Sequence, residues 1–305
     1  GKRLVIEEPA LTVRRGENGH WNLLDSSSQA ATDRRTVEMM TQVFLIREAT
    51  IVHGSVLVVD AGRPDGMRSM ALEQVEAHLV IHAELGQADV RLSVAQRGDD
   101  GAQSALSMEG QVRRVERSAA LAAEGTSTPL PVFQFEGSVE AARLALRSFA
   151  DFFGPRPVPP QLSGLVDLKG QVRIMPGVAG YDVVLADMSA RVNQVTVTGH
   201  ANLAGLLTPQ PTFTLTATSS WITLPDLQAV IPPEWIHPQL PDLLARHQIG
   251  GKVQMVNATV SGTASAGPAL SVTGEFHVQE GQALVGADAV PAKDLVGTLL
   301  VELGR

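Results

Sequence analysis

One short segment brings together three side chains that can ligate a metal: Glu76, His78 and His82 in EAHLVIHAE. Imidazole and carboxylate groups are common zinc ligands. The apolar run Leu79-Val80-Ile81 favours a strand, however, and residues four apart in a strand are separated by about 13 Å. Two imidazoles that far apart cannot both reach one ion at about 2 Å. We therefore predict no metal site here.

The other short motifs lack the groups that would make them chemical sites. Asp99-Asp100-Gly101 has none of the further oxygen ligands of a calcium loop and predicts a turn. Asn257-Ala258-Thr259 matches a glycosylation acceptor, a tripeptide that is common by chance. Phosphate-binding loops, nucleophile elbows and HExxH motifs are absent from the sequence, and so is cysteine. We predict a protein that is not an enzyme, with no catalytic residues and no cofactor.

The composition narrows the class of partner. A formal net charge of −8 argues against nucleic acid, because neutralising phosphates requires clustered basic side chains. The nearest basic run, Arg113, Arg114 and Arg117, is interrupted by Glu116. An apolar fraction of 44% is enough for a large core, but only 4% of the residues are aromatic. The apolar surfaces of the fold are therefore predicted to be aliphatic.

Alternation with period two is the dominant pattern. In PTFTLTATS, Phe213, Leu215 and Ala217 fall on one side of an extended chain and threonines fall on the other. Similar runs recur along the chain and predict a mainly β protein with a long, twisted antiparallel sheet. Residues 88–115 predict a hairpin with its loop at 97–101, and residues 43–62 predict a strand pair that turns around His53-Gly54.

Glycine recurs in the middle of these runs, where a strand ordinarily prefers a β-branched residue. The pattern appears in VHGSVLVVD, MEGQVRRV, LKGQVRI, VTGHANL, VSGTASA and VTGEFHV. Glycine within a strand indicates a bulge, a sharp bend or strong coiling of the sheet. We predict that the sheet curls into a trough.

Few segments predict helix. Residues 138–153 form an amphipathic pattern, with Ser138 as a candidate cap and Gly154-Pro155 as a stop, and predict a helix packed on a sheet end or, alternatively, a lid or membrane-facing helix. Residues 225–247 predict short helices broken by prolines. We interpret 1–305 as a segment of one elongated β-groove domain. The alternative is a subdivision into 1–118 and 130–305 at a polar linker near 118–129.

Three segments resemble passages of the AsmA-like family. LVIEEPALTVRRGENGHWNLLD (4–25) resembles the passage in which a strand, a proline and a charged strand lead into a glycine and an Asn-Leu pair. ATIVHGSVLVVDAG resembles the strand-Gly-strand-Asp unit that follows it. VTVTGHANLAGLLTPQPTFTLTATSSWITLPDLQAVIP resembles a later pair of strands that ends in a short Leu-Pro-Asp-Leu helix. The first match places its motif at Pro9, Arg14, Arg15, Gly19, Asn22 and Leu23.

The resemblance implies a function. AsmA-like proteins are similar to TamB and to the bridge-like lipid-transfer proteins, which are long β-sheets folded into troughs with an apolar interior. The resemblance implies a periplasmic groove in a diderm bacterium that carries phospholipid between inner and outer membranes and serves outer-membrane homeostasis. The parent chain would be anchored in the inner membrane, and this sequence, which starts and stops within strand pattern, would be a fragment of it.

The groove lining is predicted from one side of each strand. Its acyl-chain-binding candidates are Val90, Leu92, Val94, Val166, Leu168, Val172, Ile174, Val195, Val197, Phe213 and Leu215. The alternative is a structural β-sandwich, a scaffold or adhesion domain without lipid cargo, in which two sheets bury each other's apolar faces. The scarcity of Phe, Tyr and Trp, which usually fill the thickness of a sandwich core, favours the trough.

Overall fold

The protein is mainly β, as the sequence predicts. A computed structural model describes residues 2–17, 22, 46–62, 66–82, 85–97, 103–115, 132–153, 164–177, 180–206, 208, 210–230, 233, 239–263, 271–285 and 290–303. About 80% of the structure is strand, and the strands form one mixed sheet of 15 strands that is not closed. In these ranges the strands do not divide into the two hydrogen-bonded sheets of the sandwich alternative.

The elements follow one another along the chain with little helix between them. The strands are β1 (Lys2–Glu7), β2 (Ala10–Arg15), β3 (Ile46–Asp60), β4 (Arg68–His82), β5 (Gln87–Arg97), β6 (Gln103–Val115), β7 (Val132–Ala145), β8 (Leu165–Gly177), β9 (Gly180–Val192), β10 (Val195–Leu206), β11 (Thr212–Ser219), β12 (Ile222–Thr223), β13 (Gly250–Thr263), β14 (Ser271–Val285) and β15 (Val290–Leu303). The helices of the described ranges are α1 (Leu146–Phe153), α2 (Leu224–Val230) and α3 (Leu240–Arg246).

Most strands pair with their neighbours in sequence. The order is β1-β3-β4-β5-β6-β7-β8-β9-β10-β11-β13-β14-β15, with β2 also on β3 and β12 also on β13. The prediction of an antiparallel sheet is wrong at its start, because β1 and β2 both run parallel to β3. A parallel pair needs a connection of a dozen or more residues, and the long segment between β2 and β3 supplies one.

The chain divides into two compact units. Unit 1 comprises Gly1–Ala141, Gln171–Val184 and Ala204–Pro209, and unit 2 comprises Ala142–Gly170, Leu185–Leu203 and Gln210–Arg305. The linker predicted near 118–129 lies outside the described residues, as does the Gly154-Pro155 stop.

The hairpin of β5 and β6 in unit 1 is confirmed. The two strands are antiparallel in unbroken register from the Gln87–Arg113 pair to the Arg97–Gln103 pair. Both strands alternate throughout, so a slip of one residue would turn every apolar side chain to the opposite face. Local pattern was therefore sufficient to specify this pairing.

The strand pair predicted around His53-Gly54 is instead one strand, β3. His53 has a positive φ of 55°, and the register with β4 shifts on both sides of Gly54. These are the features of a bulge, in which an extra residue interrupts the ladder without ending the strand. Gly54 fits because a Cβ there would lie 3.1 Å from Ile51 Cγ2 and 3.3 Å from Pro9 Cγ.

The helix predicted over 138–153 is wrong in its first half. Residues 138–145 belong to β7, and only Leu146–Phe153 is helical. Residues 133–141 also alternate with period two, and this alternation buries Phe135 and Ala141. Strands β6 and β8 pair with β7 in the sheet, and this tertiary context overrides the helical propensity of Glu, Ala and Arg. Helices α2 and α3 do lie where short helices were predicted.

Candidate functional site

The sheet of unit 1 has one apolar face. Directly paired residues of neighbouring strands point to the same side, so the register defines this face. Ala77 of β4 pairs with Leu92 of β5, which pairs with Met108 of β6. The adjacent row joins Leu79, Val90 and Gly110 in the same way. These rows form an aliphatic surface across three strands, which we call the apolar face of unit 1.

Unit 2 has a corresponding apolar face. The pairs Leu215–Val260 and Val260–Val272 cross from β11 to β14, and Met255 pairs with Phe276. The surface continues onto β15, where Leu299 pairs with Phe276. Phe213 lies at its margin opposite Gly262. We call this surface the apolar face of unit 2.

The predicted lining residues divide into a buried set and a larger half-buried set. Val94, Val172 and Val195 are buried. The others are half-buried, a set that comprises Val90, Leu92, Val166, Leu168, Ile174, Val197, Phe213 and Leu215. In unit 1 the register joins Val90, Leu92 and Val94 to one side of β6, and in unit 2 it joins Phe213 and Leu215 to one side of β13. Whether they line a groove stays a prediction.

Sequence reasoning missed a charged cluster in unit 1. Arg15, Asp60 and Arg68 are buried, and Arg15 Nη1 donates to Asp60 Oδ2 at 3.3 Å. Asp60 is the register partner of both arginines and accepts a 3.1 Å hydrogen bond from the Gly62 N–H. It ends the row of β3 that contains Val56 and Val58. Arg15 and Asp60 are 45 residues apart in sequence, and strand pairing brings Arg15 beside Asp60 and Arg68.

Bulges are aligned across adjacent strands in both units. In unit 1, His53 in β3 and Gln74 in β4 have positive φ, and so does Glu8 in the bend between β1 and β2, whose N–H donates to the Val52 carbonyl. In unit 2 the corresponding row contains Gly251, Glu280 and Asp294. At each bulge the apolar side switches between odd-numbered and even-numbered residues. This switch explains why simple alternation misplaced the end of a strand at His53.

Several of the predicted mid-strand glycines are sites where neighbouring backbones come close. A Cβ on Gly110 would lie 2.6 Å from the Cα of Gly137 and 2.8 Å from the Phe135 ring. In unit 2 a Cβ on Gly170 would lie 2.8 Å from Leu185 Cδ1. No side chain fits between these strands, and a large neighbour covers each gap. These glycines therefore permit close strand approach, whereas the bulge at His53-Gly54 is formed by the residue before the glycine.

The opposite, polar face carries cross-strand ion pairs. Arg91 lies 2.8 Å from Glu109, Arg173 lies 2.6 Å from Glu136, and Lys252 lies 2.7 Å from Glu280. Hydrogen bonding by Arg91 lowers the pKa of Glu109, and Arg173 lowers that of Glu136 in the same way. In unit 2 the hydroxyl oxygens of Thr198 and Thr218 lie 2.9 Å apart. These polar side chains are therefore paired with one another across the strands of the sheet.

The histidines of the possible metal motif are used in such pairs. His78 Nε2 lies 3.0 Å from Glu48 Oε1, and His82 Nε2 lies 2.8 Å from Asp89 Oδ2. These contacts lower the pKa of Glu48 and of Asp89. Within the described ranges no group of three His, Asp or Glu side chains could hold a metal ion.

Unit 2 also contains an open polar cleft of about 400 Å³. It is lined by Arg143, Leu165, Asp167, Arg191 and Asn193. The Arg143 N–H and the Arg191 guanidinium each donate to Asp167 at 3.0 Å, and these bonds lower the pKa of that carboxyl. Asp167 is satisfied by this pairing, and we interpret the cleft as a structural junction of β7, β8 and β9.

Comparison with protein-family models, with curated proteins and with solved structures gives no match to this chain. The AsmA-like family therefore stays a prediction from the sequence. No described helix is long and apolar enough to cross a membrane.

Proposed function

We propose that this protein binds the acyl chains of phospholipids on the apolar faces of its sheet and conducts them along a trough. The observation that carries the proposal is the half-burial of the aliphatic rows. Eight of the eleven predicted lining residues are partly exposed. A packed core would exclude water from them, whereas a lipid-binding surface must remain accessible.

The chemistry of the surface suits acyl chains. Each CH₂ group removed from water contributes about 0.8 kcal/mol, so affinity grows with the length of the contact. The rows in unit 1 and in unit 2 are made of Val, Leu, Ala, Met and Phe, which make nonspecific dispersion contacts with a flexible chain. Sliding along such a surface breaks no directional bonds.

The trough is supported by how each unit's sheet is built. Aligned bulges and closely approaching glycines are the two devices by which sheets acquire curvature. Glycines such as Gly110 and Gly274 lie in the apolar rows and have no Cβ to hold adjacent strands apart on that side. We propose that the apolar side of each unit is the concave side.

The resemblance to AsmA-like proteins supports the wider context. We propose that the chain works in the periplasm of a diderm bacterium, within a parent anchored in the inner membrane, and carries phospholipid between inner and outer membranes.

A pair of adjacent positions on β10 tests the proposal. Val197 is half-buried on the apolar side, and Thr198 is exposed on the polar face, where it pairs with Thr218. A photo-crosslinking residue at 197, in protein purified from the periplasm of a diderm bacterium, should capture phospholipid detectable by mass spectrometry. The same residue at 198 should not. Equal labelling at both positions, or at neither, would contradict lipid binding in the trough.

A charge on the apolar side provides the second readout. Val197→Asp should reduce the phospholipid recovered per chain while the protein still folds, and Thr198→Asp is the matched control. If Val197 instead belongs to a closed core, Val197→Asp buries an unpaired charge and unfolds the domain. In that case the wild-type protein carries no lipid either. That outcome, with lipid-free wild-type protein, would favour a scaffold function.

A further inference from the structure

We draw no further inference here: the strongest candidate, the buried charged row of Arg15, Asp60 and Arg68 at the end of the apolar face of unit 1, carries none, because its side chains are enclosed and engaged within the fold and nothing in the described part of the chain shows a ligand that they would bind.

Discussion

The apolar faces of the two units end in different ways. In unit 1 the rows of β3 and β4 lead to the buried residues Arg15, Asp60 and Arg68. In unit 2 the apolar rows continue through β13 and β14 to an exposed aliphatic edge at β15. Along the strands of unit 1 the apolar rows end at charged side chains, and across the strands of unit 2 they reach exposed aliphatic side chains on β15.

The difference shows how one type of sheet can have two kinds of boundary. A buried ion pair fixes a boundary, because removing one partner leaves a charge that the interior cannot solvate. An aliphatic edge fixes none, since any extended segment with apolar side chains can extend the sheet. We therefore expect the stability of unit 1 to depend on its buried charges. In unit 2 we expect β15 to depend on which extended segment lies beside it.

The largest expected effect is at the charged boundary. Asp60→Ala removes the carboxylate that pairs with Arg15 and accepts from the Gly62 N–H. Breaking a buried ion pair in this way costs about 3–5 kcal/mol. Urea unfolding should show this loss. Glu280→Ala, which breaks the solvent-exposed pair with Lys252, is the control and should cost at most about 1 kcal/mol. If the two substitutions lowered the free energy of unfolding equally, the buried charges of unit 1 would stabilise it no more than an exposed ion pair does.

A smaller effect is expected where strands approach closely in unit 1. Gly137→Val would place atoms against the Glu109 carbonyl, the Gly110 Cα and the Phe135 ring. Overpacking of this kind costs about 1–3 kcal/mol, and more where the backbone must move. Gly297→Ala in unit 2 enters open space and should change the unfolding free energy of dilute protein by less than about 0.5 kcal/mol. A tolerated Gly137→Val would show that the close approach of β6 and β7 there does not depend on the glycine.

The smallest effect concerns the polar face and pH. Cross-strand partners lower the pKa of Glu109, Glu136 and Asp167 in the folded chain. A lowered folded pKa gives stability that is present above the unfolded value, about 4, and is lost as pH falls through the folded value. The urea midpoint should therefore change little between pH 7 and pH 5 and decrease below about pH 4. Glu109→Gln should make that decrease shallower, and a steeper decrease would contradict the assignment.

The predictable parts of the fold are those specified locally. The β5–β6 hairpin follows from two alternating runs around a short polar turn, and the short helices near 225–247 follow from their Leu-Pro-Asp-Leu starts. Residues 138–145 predict helix because their apolar side chains fit the helical period of about 3.6 residues as well as the strand period of about two. Their strand conformation depends on neighbours in the sheet that are distant in sequence.

The sequence by itself determined that the chain is mainly β, that its strands have aliphatic and polar sides, and that glycines interrupt them. These are properties of neighbouring residues. The tertiary structure alone decided the parallel pairing of β1 and β2 with β3, the alignment of the bulges, and the meeting of Arg15, Asp60 and Arg68. Each of these depends on register between strands, which becomes fixed only when the apolar side of a strand is buried against its neighbours.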